Sequence, residues 1–168
     1  MSDAPPILNL DDVELQPFGQ GEKFAAMLGR IGMPLGTKKI GCGLVVLEPG
    51  KRAWPHHEHY AQEELFIVLE GEGTVRYGDS EHAIRTGDVI FAPPGKGTAH
   101  QIVNTSDAPL RYLAFSSTDS PEICYYPDSG KYATFHSENG QFPVHFVAHE
   151  DARRDYWDGE DDPATGGG

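Results

Sequence analysis

The sequence predicts an all-β sandwich or barrel. Two observations carry this. Short runs rich in β-branched and aromatic residues follow one another from about residue 40 to residue 135, and Gly, Pro and Asp punctuate them. No long amphipathic helix interrupts that stretch, so alternating strands and helices around a parallel sheet are not expected.

The strands are expected near 40–48, 53–59, 64–70, 73–78, 81–85, 89–92, 99–104, 110–117, 122–126 and 131–135. Turn signals stand between them at Pro49-Gly50, Gly71-Glu72-Gly73, Gly78-Asp79-Ser80, Gly87-Asp88 and Pro93-Pro94-Gly95. Residues 1–20 show no clear period and read as an arm. Glu22 to Arg30 reads as a short helix. Glu64 to Glu70 is apolar on both faces, with Leu65, Ile67 and Leu69 on one and Phe66 and Val68 on the other. One face can fill a barrel; the other needs cover from a second layer or a second copy, so a homodimer is expected. The expected organisation is an N-terminal arm (1–39) packing on the barrel or a partner, a barrel (40–136), a C-terminal extension (137–160) and a short flexible tail (161–168). Tyr156 and Trp157 are large enough to anchor the chain just before that tail.

A chain of 168 residues suits one domain with a core that needs no disulfides. Its two cysteines, Cys42 and Cys124, form no zinc-finger or disulfide pattern and read as small buried hydrophobes. The start, Met1-Ser2-Asp3-Ala4-Pro5-Pro6, has neither the basic nor the apolar segment of a secretory signal, and a cytoplasmic setting is expected. No apolar run is long enough to span a bilayer. A net charge of −13 argues against nucleic acid and against an anionic membrane surface, leaving a small molecule as the expected partner.

Chemistry concentrates in two stretches. In the first, His57 and His59 are two apart, which on a strand puts both imidazoles on one face. His56 pairs by the same rule only with Glu58. Glu64 opens the next strand, and the change of parity between His59 and Glu64 requires a turn or bulge near Tyr60-Ala61-Gln62. In the second, His100 follows a Gly/Pro turn and starts a strand. His82, His136, His145 and His149 lack any pairing pattern and read as surface or strand histidines. Tyr112, Tyr125, Tyr126, Lys51 and Arg52 could line or cap a pocket, and no catalytic acid or base is singled out. Asn104 reads as a strand end whose side chain holds a turn.

Together these stretches resemble the two motifs of the cupin superfamily. Gly50, His57, His59, Glu64 and Gly71 match the first, including six residues between Glu64 and Gly71, which favours Glu64 over Glu63. Gly87, Pro93, Gly97, His100 and Asn104 match the second, with the turn from Pro93 to Gly97 two residues longer than usual. More narrowly, GKRAWPHHEH, APPGKGTAHQIVNTSDAPLRYLAFS, PEICYYPDSGK and YWDGE resemble a group of small single-domain bacterial cupins. That group is largely uncharacterised, and some members carry a sugar-phosphate isomerase label.

The resemblance implies a double-stranded β-helix (jelly-roll) barrel holding one divalent metal ion on His57, His59, Glu64 and His100. Mn²⁺, Fe²⁺, Ni²⁺, Zn²⁺ and Co²⁺ all suit three imidazoles and a carboxylate. Four protein ligands on a six-coordinate ion leave two positions for water or substrate. The expected function is a metal-dependent enzyme acting on a small polar substrate, in the manner of a sugar-phosphate isomerase. An iron-dependent dioxygenase and a non-catalytic small-molecule-binding cupin are the alternatives. No helix-turn-helix precedes the barrel, which disfavours a DNA-binding regulator. The isomerase reading needs cations to hold a phosphate, and near the first motif Lys51 and Arg52 are the only basic residues.

Overall fold

A computed structural model of the chain describes residues 6–138 and 141–160, apart from the side chains at 137, 138, 141 and 142. The strands in chain order are β1 (Leu15–Gln20), β2 (Phe24–Arg30), β3 (Ile40–Leu47), β4 (Glu58–His59), β5 (Glu64–Glu70), β6 (Glu72–Tyr77), β7 (Ser80–Arg85), β8 (Val89–Ala92), β9 (His100–Val103), β10 (Leu110–Ser117), β11 (Glu122–Tyr126), β12 (Lys131–Glu138) and β13 (Gln141–His149). The one α-helical turn among the described residues is α1 (Gly32–Leu35), and no helix there is long and apolar enough to cross a membrane.

Every strand pairing is antiparallel, and the strands form three sheets ordered β1-β2-β3-β10-β5-β8, β13-β12-β11-β4 and β7-β6-β9. Isolated bridges at Arg52↔Val103 and His57↔His100 stitch the segment before β4 to β9. The main core fills the space between the six-stranded and three-stranded sheets. Val45, Leu47, Phe66, Val68, Leu110 and Tyr112 come from one side, and Val75, Ile84 and Ile102 from the other. This is the all-β jelly-roll architecture expected.

Three local expectations differ. Glu22 to Arg30 is not a helix: Phe24–Arg30 is strand β2, in register with β3 through Met27↔Val46, Leu28↔Val45 and Gly29↔Leu44. Sheet pairing that buries Ala26 in the main core outweighs a weak helical preference. The run at 53–59 is a strand only at Glu58–His59, because Trp54 and Pro55 belong to an irregular approach rather than a ladder. Tyr156 and Trp157 do not anchor their segment on the barrel. Both are exposed, at 82% and 70%, and their rings meet each other edge to face.

The outward face of the six-stranded sheet gets cover from the chain itself. Val13, Ile31 and Leu44 form a second small core, against which Leu8, Leu10, Leu15, Leu69 and Leu113 pack. Leu69 of β5 is therefore covered by the N-terminal segment. Asn104 acts as expected: fully buried, it donates to the carbonyls of Leu47 and Ala108 at 2.8 Å each and accepts from Ser106, closing the turn after β9.

Candidate metal centre

His57, His59, Glu64 and His100 come from three places in the fold and meet inside it. His57 and His100 face each other across a bridge in which each backbone N–H donates to the other's carbonyl, at 3.2 and 2.8 Å. His59 is on β4, and Glu64 opens β5. The ring centroids of His57 lie 4.9 Å from those of both His59 and His100. Oε2 of Glu64 lies 2.7 Å from His100 Nε2, 3.2 Å from His59 Nε2 and 3.9 Å from His57 Nε2.

The remaining ring nitrogens are committed elsewhere. His57 Nδ1 donates to the Pro55 carbonyl at 2.8 Å, and His100 Nδ1 donates to the Thr98 carbonyl at 3.2 Å. A carbonyl only accepts, so in their neutral forms these two rings turn an unprotonated Nε2 toward Glu64. His59 Nδ1 sits 3.3 Å from Cys124 Sγ and 3.7 Å from Glu122 Oε1, while its buried Nε2 has no hydrogen-bond partner among the described residues. Lone pairs and a carboxylate thus converge on one point.

Such a point attracts positive charge, and the titration of the groups reflects this. Burial would raise the Glu64 pKa, but contacts with His100 and His59 outweigh it and hold the carboxyl well below the usual carboxylate range. Burial, with His100 close by, pulls His57 down to about 4, so this imidazole is neutral at physiological pH. Burial also opposes charge on His59, yet Cys124, Glu122 and Glu64 together push it up to about 12. One site therefore wants both a neutral imidazole and a cation. A divalent ion meets both demands: ligand atoms about 2.0–2.2 Å from an ion stand about 3 Å apart when adjacent. The ligating atoms of His57, His59 and Glu64 all lie within 4.8 Å of one another.

Two supporting residues were not legible as such. Glu122, fully buried on β11, accepts the backbone N–H of Tyr60 at 2.9 Å, Ala61 at 3.3 Å and Gln62 at 2.7 Å, besides that of Ile123. It thereby builds the bend that was expected at Tyr60-Ala61-Gln62 and sets the offset between His59 and Glu64. Cys124, two residues on, points from the same strand face at His59. His59, Glu122 and Cys124 also lie close enough to form a ligand trio. Glu122 is already engaged by backbone donors, however, and the trio acts as a bracket for His59. The longer turn from Pro93 to Gly97 docks on β4: Gly97 N–H donates to Glu58 Oε2, and Gly95 N–H donates to the His59 carbonyl, at 2.7 Å each.

The centre opens into a cavity of about 810 Å³ that reaches from the imidazoles past Phe66, Ile102 and Tyr112 to Trp54 and to Phe18 on β1. Of the residues singled out as pocket candidates, Tyr112 and Tyr126 line it, and the Tyr126 ring stacks on His57 at 5.8 Å. Tyr125 is outside, its hydroxyl donating to Glu150. Lys51 and Arg52 are outside too. Lys51 Nζ donates to the Glu22 carbonyl at 2.6 Å, and the Arg52 guanidinium lies 5.9 Å from the centroid of the Phe24 ring. His56 is buried away from the cavity, with Nδ1 3.6 Å from Asp128. His82, His136, His145 and His149 do not line it.

Comparison with known proteins agrees with the fold. Residues 43–116 match the model of the Cupin domain. A solved structure described as a sugar phosphate isomerase of the cupin superfamily, from Silicibacter pomeroyi, is 27% identical and superposes with a TM-score of 0.76, covering 87% of this chain and 94% of that one. An uncharacterised protein of Methanocaldococcus jannaschii is 37% identical over 60 residues, spanning 36% of this chain and 46% of that protein. Gentisate 1,2-dioxygenase from a Streptomyces species is 33% identical over 105 residues, spanning 60% of this chain and 28% of that enzyme. The matches thus span less than half the length of these curated relatives. The matched segment contains both histidine stretches, and residues 43–116 form a cupin domain.

Proposed function

We propose that the protein is a divalent-metal-dependent enzyme whose ion is held by His57, His59, Glu64 and His100 and whose cavity receives a small molecule. One observation carries this reading: Nε2 of each imidazole faces the same carboxylate oxygen, at 2.7–3.9 Å, with every Nδ1 engaged elsewhere. An ion bound there supplies Lewis acidity, stabilising negative charge that develops on a substrate oxygen. The chain's own residues do the rest. Glu122 and Cys124 fix the ring of His59, Tyr126 stacks on His57, and Phe66 packs on His100 at 5.5 Å. Tyr112 is fully buried, burial and the nearby Glu64 charge hold its pKa far above the usual range, and it stays protonated.

Two reaction classes fit an ion with open positions. Isomerisation through an enediolate is supported by the description of the Silicibacter pomeroyi relative. Oxygen-dependent cleavage is supported by the Streptomyces dioxygenase relative and by the apolar cavity wall. The positions of Lys51 and Arg52 weigh against the phosphate cradle that the first class would need for a phosphorylated sugar. Metal analysis of the purified protein, followed by oxygen uptake with gentisate and aldose–ketose conversion with sugar phosphates, tests the reading. Stoichiometric metal with turnover in either assay supports an enzyme; metal without turnover leaves a binding module; no metal overturns the proposal. A homodimer is also proposed, because Val89 and Phe91 on edge strand β8 and Val144, Phe146 and Val147 on edge strand β13 are exposed. Light scattering on the eluting protein tests it.

A further inference from the structure

The cavity wall speaks to the substrate. Resting on the metal reading above, we infer that the site takes a molecule with an apolar body that reaches the ion through a pair of oxygen atoms, not a phosphorylated sugar.

The chemistry of the wall is uneven. Beside the imidazoles it is built from Phe66, Ile102, Tyr112, Ala114 and Leu28, and toward the N-terminal arm from Phe18 and Trp54, whose ring centroids are 5.6 Å apart. Ala114 follows Tyr112 on the same face of β10 and pairs in register with Phe66, which puts a small side chain between two aromatic ones on the wall. A volume of about 810 Å³ is ample for a bicyclic or phenyl-bearing molecule.

The charges point the same way. Asp12, Glu14 and Glu64 line the cavity, against Arg30 as the one lysine or arginine on its wall among the described residues. Arg30 is exposed and directs its guanidinium to Met33 Sδ at 3.8 Å. Other basic side chains of this half of the molecule are engaged outside. Lys51 holds a carbonyl, Arg52 covers Phe24, Arg111 reaches Leu10 and Asp11, and Lys131 lies on the Tyr126 ring. A phosphate dianion entering here would meet carboxylates and give up its hydration for one arginine. A planar molecule with two adjacent oxygens, such as a β-diketone enolate or a hydroxy-acid, brings one negative charge to the ion and an apolar face to the wall. The two sites an ion with four protein ligands leaves open match that two-oxygen head.

The test uses full-length protein loaded with Mn²⁺ or Fe²⁺ and two probes, benzoylacetone and ribose-5-phosphate. Thermal shift and calorimetric titration read binding, and metal content is measured on the same samples. Benzoylacetone is expected to bind the loaded protein at least tenfold more tightly than ribose-5-phosphate. Ala114→Phe, which fills the wall, is expected to weaken benzoylacetone tenfold or more without changing metal content. Phe18→Ala, on the exposed arm and away from the core, is expected to weaken it about threefold and keeps the question open to test where Ala114→Phe does not fold. Tighter binding of ribose-5-phosphate, or full metal content with no response to benzoylacetone, overturns the inference while the metal centre stands. Failure to hold metal overturns the metal centre itself and the inference with it.

Discussion

At the scale of single residues, the clearest division of labour is between the proposed ligands and the groups that aim them. Glu122 makes no direct claim on the ion, yet its two oxygens gather the N–H groups of Tyr60, Ala61 and Gln62 and so place Glu64 opposite His59. Outer partners of this kind typically change metal affinity 10–100-fold. Glu122→Gln puts an amide donor against donors, and metal affinity is expected to fall at least tenfold in competition with a chelator. The proposed ligands themselves behave differently. His57→Ala and His100→Ala are expected to lower metal content well below that of His82→Ala, whose side chain is exposed on β7; equal content in all three would contradict the assignment. The convergence of these residues was legible through the resemblance to two cupin motifs, with a period of two marking His57 and His59 and the spacing to Gly71 singling out Glu64. Glu122 and Cys124 were not, since nothing near them in the sequence marks a contact with residues some 60 positions earlier.

At the scale of elements, packing and turn chemistry set the expectations. Leu44 of β3 is 1% exposed and sits between the N-terminal segment and the sheet. Leu44→Ala is expected to cost about 3 kcal/mol in urea unfolding, within the usual range for emptying a buried leucine. Gly71 joins β5 to β6 with φ at +84°, and a Cβ there would run into the Pro109 carbonyl. Gly71→Ala is therefore expected to destabilise by about 1–3 kcal/mol, read as a lower melting temperature. Most strands between 40 and 135 were visible in alternation and punctuation, whereas β1 and β13 were not expected. β2 was not, because Phe24–Arg30 carries helix-compatible residues and becomes a strand only by pairing with β3. The run at 53–59 misled in the opposite sense: Trp54 is strand-like, but Pro55 cannot donate to a ladder and the approach to β4 is irregular.

At the scale of the whole molecule, the sheets are held together by a few long-range ties. Arg76 on β6 forms a two-pronged pair with Asp128 after β11, at 2.8 and 3.0 Å, linking the three-stranded and four-stranded sheets. The Arg76 guanidinium beside Asp128 lowers that carboxyl's pKa. Because the folded value lies below the unfolded one, the contribution is present above the ordinary carboxylate range and is lost as pH falls through the folded pKa. Asp128→Asn is thus expected to flatten part of the acid limb of a stability–pH curve; the effect is small, since Asp128 is half exposed.

The reciprocal backbone pair between His57 and His100 has a practical consequence. Those two amides are locked only while the two histidine stretches stay clasped, so their deuterium uptake is a built-in gauge of the centre. Slower uptake at both positions on adding an ion, with none at β7, would report occupancy without any knowledge of the reaction.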